Sequence, residues 1–165
     1  MKYRSSTSTF TIKVVFHVTD NSAVPIMTDK QKEDILDNNP NAKFVEESAI
    51  FARWNYDIKT RIEMESTTVD QNTQLHFISP AKKRQLKIKY LLRDWSLTDD
   101  NEEHSKIEIL LDPITKCMTD TCYNNIVCGP NHINPIILDA FVIRADYVFE
   151  YGMSEEEANS TNPKI

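Results

Sequence analysis

Apolar side chains recur at every second position over several long stretches of this chain. The clearest stretch covers residues 50–64, where the even positions are apolar or aromatic except Thr60 and the odd positions are polar except Phe51. An extended chain sends such alternating side chains to opposite faces, whereas a helix would spread them around its circumference. We therefore predict a strand over residues 50–64. Because this stretch is far longer than a typical strand, we expect a bend or bulge near residues 55–57.

The same alternation occurs near the start of the sequence. Phe10, Ile12, Val14, Phe16 and Val18 alternate with more polar neighbours, which predicts a half-buried strand.

A helix is expected after this strand. Thr28 followed by Gln31 has the spacing of a capping box, and Asp29 suits the positive end of a helix dipole. Proline disfavours helical backbone in the residue before it, so the helix should end near Pro40.

Further strands are predicted downstream. Leu75 and Phe77 indicate a short strand before Pro80, and alternation over residues 85–111 around a polar loop at 98–103 favours a hairpin. Residues 136–151 are apolar on both faces, which suits a central buried strand, although a buried helix fits the periodicity nearly as well.

These elements predict a mostly β or α+β fold. We expect an antiparallel sandwich, open barrel or curved sheet of about six strands, with one short helix after the first strand. The length of 165 residues fits one domain, which we place at residues 1–151. Residues 152–165 are acidic and polar, and we expect a disordered tail there.

Glycine is scarce, and this limits the kinds of site the chain can build. Gly129 and Gly152 are its two glycines. Phosphate-binding loops, dinucleotide fingerprints and nucleophile elbows need glycine where backbone turns sharply or approaches a ligand. Most nucleotide-dependent enzymes are therefore disfavoured, and we expect a protein that is not an enzyme.

Net charge and cysteine count bear on partners and location. The formal charge of −6 repels phosphate backbones and anionic lipid on average. No stretch has the length of a membrane span, and no leader sequence is visible. Three cysteines are an odd number, which favours a reducing compartment, so we expect an intracellular protein, cytoplasmic or nuclear.

The three cysteines and one histidine form a candidate metal site. Cys117, Cys122, Cys128 and His132 have the spacing C-x4-C-x5-C-x3-H, and three thiolates with an imidazole are a normal tetrahedral zinc set. The second half of this spacing resembles the CCCH zinc fingers, and that resemblance implies binding of single-stranded RNA. Its first spacing is shorter than in that class. The alternatives are small side chains without a metal or, in an exported protein, a disulfide between two cysteines.

One segment concentrates basic residues. On the predicted strand it would form a stripe that could meet phosphate or an acidic partner, or a solvated sheet face balanced by Asp57 and Glu63. No aromatic side chains that could stack on bases interleave with it. The stripe consists of Lys82, Lys83, Arg84, Lys87, Lys89 and Arg93.

These observations predict a non-enzymatic binding or assembly domain. Mixed polar strands with few glycines suit a rigid surface, so we expect a sheet face or edge to engage another macromolecule, most often protein, or a second copy of the chain. One alternative is a nucleic-acid-binding module built on the zinc-like loop and the basic stripe. Another is a viral structural or matrix-like assembly protein.

Overall fold

The computed structural model describes residues 9–99, 105–160 and 163. Within them the elements are β1 (Thr9–Val18), β2 (Ala23–Ile26), α1 (Asp29–Asn38), β3 (Lys43–Ala52), α2 (Tyr56–Glu65), β4 (Thr67–Val69), β5 (His76–Ile78), α3 (Pro80–Leu91), β6 (Leu92–Trp95), α4 (Asp120–Tyr123), a π-helical turn (Asn124–Cys128), α5 (Pro135–Phe149) and α6 (Glu155–Ala158). The fold is mixed α+β. An open antiparallel sheet has the order β2-β1-β3-β6, and β4 and β5 form a separate two-stranded sheet.

The first predicted strand and the first predicted helix are confirmed. Strand β1 lies inside the main sheet, and its even-numbered residues from Phe10 to Phe16 are buried. Helix α1 begins after Thr28, whose side chain accepts a hydrogen bond from the Gln31 backbone in a complete capping box. The expected α+β class is present, and the main sheet is open and does not close into a barrel.

The prediction of a strand over residues 136–151 is wrong, because this segment forms α5. The Asn134 side chain accepts a hydrogen bond from the Ile136 backbone, and Pro135 occupies the first turn, where its missing N–H costs nothing. Helix α5 covers the buried face of the main sheet. The Phe149 ring lies 5.1 Å from that of Phe10, and the Phe141 ring lies 6.0 Å from that of Phe16.

The predicted continuous strand over residues 50–64 is also wrong. Strand β3 ends at Ala52, and α2 begins at Tyr56 in place of the expected bend. The side chain of Asn55 accepts a hydrogen bond from the Ile58 backbone at 2.9 Å and so starts the helix. A helical turn after Asn55 buries Ile62, whereas Tyr56 on the same alternating set is exposed.

The predicted hairpin over residues 85–111 is replaced by α3 and the short strand β6. Ser79 caps α3 and Pro80 occupies its first turn, which starts a helix where the alternation favoured a strand. Beyond β6, isolated bridges join Thr98 to Lys106 and Leu111 to Met118. Residues 100–103 of the predicted loop lie outside the described residues.

The C-terminal segment is folded over residues 152–160, which corrects the expectation of a disordered tail there. Helix α6 buries Ala158 completely. The buried guanidinium of Arg144 on α5 donates hydrogen bonds to the carbonyls of Ala158 at 3.1 Å and Ser160 at 2.7 Å. Residues 161, 162, 164 and 165 lie outside the described residues.

Candidate functional site

The basic stripe lies mainly on α3, and most of its charge is engaged within the chain. Lys83 reaches Glu150 at 3.0 Å, and Arg84 reaches Asp139 at 3.2 Å, so both pair with carboxylates of the α5 region. Lys82, in the first turn of α3, is exposed. The structure therefore does not bring the six basic residues together on one sheet face.

Lys87 is the most buried member of the stripe. Its side chain is 2% exposed, and its ammonium contacts Asp146 at 2.5 Å and Glu150 at 2.9 Å. It also lies 5.3 Å from the centre of the Trp54 ring. Burial raises the pKa of Asp146 despite the hydrogen bond from Lys87. Burial would also raise the pKa of Glu150, but hydrogen bonds from Lys87 and Lys83 lower it overall. These groups join α3 to α5.

The last two basic residues pack among aromatic and sulfur groups. Lys89 pairs with Asp120 at 3.1 Å and lies 5.3 Å from the centre of the Tyr123 ring. Arg93 donates a hydrogen bond to the Tyr90 carbonyl at 3.0 Å, and burial lowers its pKa. A phosphate backbone approaching this region would compete with these contacts for most of the cations.

The four predicted zinc ligands contact different neighbours. The thiol of Cys117 lies 3.6 Å from the Tyr90 carbonyl, and the sulfur of Cys122 accepts a hydrogen bond from the Leu110 backbone at 3.4 Å. Cys128 is exposed, and His132 lies with its Nδ1 3.0 Å from the Gly129 carbonyl. Within residues 9–99, 105–160 and 163, no group of three or more His, Cys, Asp or Glu is arranged to hold a metal. As placed, these side chains do not form a tetrahedral set, and zinc analysis of the purified protein checks the prediction.

A half-open groove of about 950 Å³ lies beside the cysteine segment. Its wall mixes polar side chains with aliphatic ones, among them Leu97, Ile107 and Ile126, and Cys122 and His132 also line it. The Sγ of Cys122 and the Nδ1 of His132 are each directed to a backbone group. The groove therefore brings two of the four predicted ligands to one wall without pairing them as a nucleophile and a base.

The β4–β5 hairpin is the most unusual surface of the molecule. We call residues 67–78 the arm. Every residue of β4 and β5 is exposed, and the two strands pair with each other but make few contacts with other elements. Four apolar side chains of the arm are exposed to water, at 42% for Val69, 65% for Leu75, 53% for Phe77 and 43% for Ile78. A lone two-stranded sheet is marginally stable in water, and the described residues do not give this arm the cover that such a sheet normally needs.

The base of the arm is firmly attached to the body. Ser66 is buried, and its hydroxyl donates a hydrogen bond to the Ile62 carbonyl at 2.6 Å. The Ser79 backbone donates to the Ser66 carbonyl at 2.9 Å and closes the hairpin. The Tyr90 hydroxyl donates to Glu65 at 2.6 Å and ties the end of α2 to α3. The arm therefore extends from a rigid base.

The turn at the tip of the arm is built from local contacts. The Asp70 carboxylate accepts a hydrogen bond from the Asn72 backbone at 2.9 Å. Gln74 adopts a φ of 60°, in the left-handed region, and its backbone donates to the Asp70 carbonyl at 2.7 Å. These bonds hold the hairpin shape without help from the body.

The main sheet is protected on its β1–β2 side, in contrast to the arm. Pro25 in the edge strand β2 removes a backbone donor. Where β2 ends, the Asn159 side chain covers β1, accepting a hydrogen bond from the Lys13 backbone at 2.9 Å and donating to the Thr11 carbonyl at 2.8 Å. Among the described strands, the open edges with exposed apolar side chains on both faces belong to the arm.

Sequence reasoning found part of the arm. The short strand predicted at Leu75 and Phe77 matches β5, but its partner β4 was missed. A signal was present, because β-branched residues 67–69 precede the turn-forming residues Asp70 and Asn72. No local sequence signal predicts that the arm is exposed, since its exposure depends on how the rest of the chain packs.

Comparison with known protein families, with curated proteins and with solved structures gives no match to this chain. In the described part of the chain, no helix combines the length and the apolar character needed to cross a membrane.

Proposed function

We propose that this protein is a non-enzymatic binding or assembly domain that engages another protein through the arm. The observation that carries the proposal is the exposure of Val69, Leu75, Phe77 and Ile78 on a projecting two-stranded sheet. Pairing with an added strand would satisfy open backbone groups and cover these side chains at the same time.

The architecture around the arm supports this role. A rigid base presents the hairpin in a fixed direction, which lowers the entropy lost on binding. Pro25 and Asn159 protect the β1–β2 side of the main sheet, whereas the arm offers an incoming strand edges flanked by exposed apolar side chains. Exposed aromatic side chains are frequent anchors of protein interfaces, and Phe77 supplies one here.

Photo-crosslinking in cells that express the protein tests this role. A benzophenone amino acid replaces Phe77, and a matched control carries it at Ile114, which is 89% exposed and lies outside the arm. We expect a discrete protein adduct from position 77 that is at least several-fold weaker from position 114. Equal labelling from both positions, or adducts whose added mass is removed by nuclease, would contradict the proposal.

A further inference from the structure

The hydrogen bonds of the arm determine which backbone groups its edges present. The Asp70 backbone donates to the Leu75 carbonyl, and the Ser79 backbone donates to the Ser66 carbonyl. Inward-facing pairs alternate along an antiparallel ladder, so Thr68 and Phe77 also face inward. The N–H and C=O groups of His76 and Ile78 therefore point away from β4 and form the open edge of β5.

The two edges of the arm differ in what a symmetric pairing would bring together. A two-fold axis at Phe77 sets His76 of one copy opposite Ile78 of the other, which joins their outward backbone groups. Phe77 then lies directly opposite its own copy in a non-hydrogen-bonded pair, where side chains are closest. On the β4 edge the same operation would set Thr68 opposite Thr68. The β5 edge therefore offers the larger apolar contact.

Charge opposes a second copy less at the arm than elsewhere on the molecule. The chain carries a formal charge of −6, so two molecules repel each other on average. Residues 67–78 contain one charged side chain at neutral pH, that of Asp70, which lies at the tip. Two arms can thus approach with little like-charge repulsion.

We propose that the arm binds a second copy of this chain, with β5 pairing antiparallel to β5 about a two-fold axis at Phe77. This inference rests on the proposed function and names its partner. The resulting four-stranded sheet has the order β4-β5-β5-β4, and one face carries a continuous row of Leu75 and Phe77 from both copies. A C2 arrangement closes on itself, so the product is a dimer and not a fibre.

The dimer should be weak. Its shared strands are three residues long, and interfaces smaller than about 1,200 Å² are typical of transient complexes. We expect dissociation in the micromolar range or above, so that the equilibrium responds to ordinary changes in protein concentration.

Sedimentation equilibrium with two proline variants tests the pairing. Wild-type protein should change from a mass of 19.1 kDa toward twice that mass as its concentration rises. His76→Pro removes an outward donor of β5 and keeps the ladder with β4, whereas Val69→Pro removes the equivalent outward donor of β4. We expect His76→Pro to weaken association at least tenfold and Val69→Pro to leave it nearly unchanged. A wild-type chain that stays monomeric at about 500 µM, or a His76→Pro variant that dimerises as well as wild type, would overturn the proposal.

A cysteine pair provides a second measurement that does not depend on how proline is tolerated. In a Cys128→Ser background, Phe77→Cys should form an intermolecular disulfide under mild oxidation with oxidised glutathione, because opposed residues in a non-hydrogen-bonded pair lie within disulfide range. Thr68→Cys is the control, since two copies of residue 68 would lie about three strand spacings apart, roughly 14 Å. Equal crosslinking of the two variants would contradict the two-fold axis.

The outcomes separate this inference from the proposed function. An adduct between position 77 and a second copy of the chain supports both. A monomeric chain whose position 77 crosslinks a different protein overturns the dimer and leaves the binding role standing. Absence of any position-specific protein adduct overturns both.

Discussion

At the scale of single residues, the buried ammonium of Lys87 organises the contact between α3 and α5. The Lys87 side chain is 2% exposed, and its ammonium is shared by Asp146 and Glu150. Removing one partner of a buried ion pair leaves the other charges without compensation. The position is therefore structural, although sequence alone assigned it to a surface stripe.

Replacing Lys87 with Met tests this role. We expect a loss of about 2–3 kcal/mol in the free energy of unfolding, below the full cost of a buried pair because both carboxylates are partly exposed. Lys82→Met on the exposed side of the same helix should change stability by less than about 0.5 kcal/mol. Chemical denaturation measures the free energy of unfolding of both variants. Equal losses would contradict a structural role for Lys87.

Glu150 should make stability depend on pH. Burial alone would raise its pKa, but hydrogen bonds from Lys87 and Lys83 lower it below the ordinary 4.5. A lowered pKa means that the stabilisation is fully present above pH 4.5 and is lost as the pH falls through the folded-state value. Burial raises the pKa of Asp146, so its contribution to the free energy of unfolding increases as the pH falls, opposite to that of Glu150.

The corresponding variant is Glu150→Gln. We expect it to be less stable than wild type between pH 5 and 7, with the difference shrinking as the pH falls below about 4. Urea denaturation at several pH values measures this difference. A difference that is constant with pH, or that grows on acidification, would show that the ionised carboxylate does not stabilise the fold.

At the scale of elements, alternation predicted β1 but misassigned α2. A spacing of two also contains a spacing of four, so Ile58 and Ile62 fit both a strand face and a helix face. The structure distinguishes the helix from the strand: Ile62 is buried, whereas Tyr56 and Met64 of the same alternating set are exposed. The helix-starting Asn55 was the local signal that the alternation obscured. In α1 no alternating pattern conflicted with the capping box, and the predicted helix is present.

The Asn55 cap provides a prediction at this scale. Asn55→Ala removes the acceptor for the Ile58 backbone, and we expect a loss of about 1 kcal/mol in the free energy of unfolding. Asn41→Ala, at an exposed position before β3, should stay within about 0.5 kcal/mol of wild type. Thermal denaturation followed by circular dichroism compares the two, and an unchanged Asn55→Ala variant would contradict the capping role.

Predicting the candidate site needed information that the sequence does not carry locally. Leu75 and Phe77 were assigned to a strand, but an apolar strand is buried in most folds, so nothing local indicated their exposure. The basic residues were misplaced for the related reason that their partners on α5 are distant in sequence. The spacing of the cysteines likewise could not show that their sulfurs have separate neighbours.

At the scale of the whole molecule, the two ends of the described chain are joined. Asn159 bonds the backbone of β1 at Thr11 and Lys13, and Arg144 holds the segment that carries Asn159. This closure protects the β1–β2 side of the main sheet, and among the described strands the edges with exposed apolar side chains on both faces are those of the arm.

Asn159→Ala should open the protected edge. We expect a loss of about 1–2 kcal/mol in the free energy of unfolding because two backbone groups lose their partner. Glu156→Ala, exposed on α6, is the matched control and should have little effect. Hydrogen exchange gives the local readout: the Lys13 amide should exchange faster in Asn159→Ala, and an unchanged rate would show that the side chain does not cover this edge.

The most direct test of the β5–β5 pairing is amide hydrogen exchange in the arm, followed by NMR at low and high protein concentration. We predict that the His76 and Ile78 amides exchange quickly in dilute protein and become at least tenfold slower in concentrated protein, while the Thr67 and Val69 amides stay fast at both. Rates at His76 and Ile78 that do not change with concentration would contradict a β5 edge that receives the strand of a second copy.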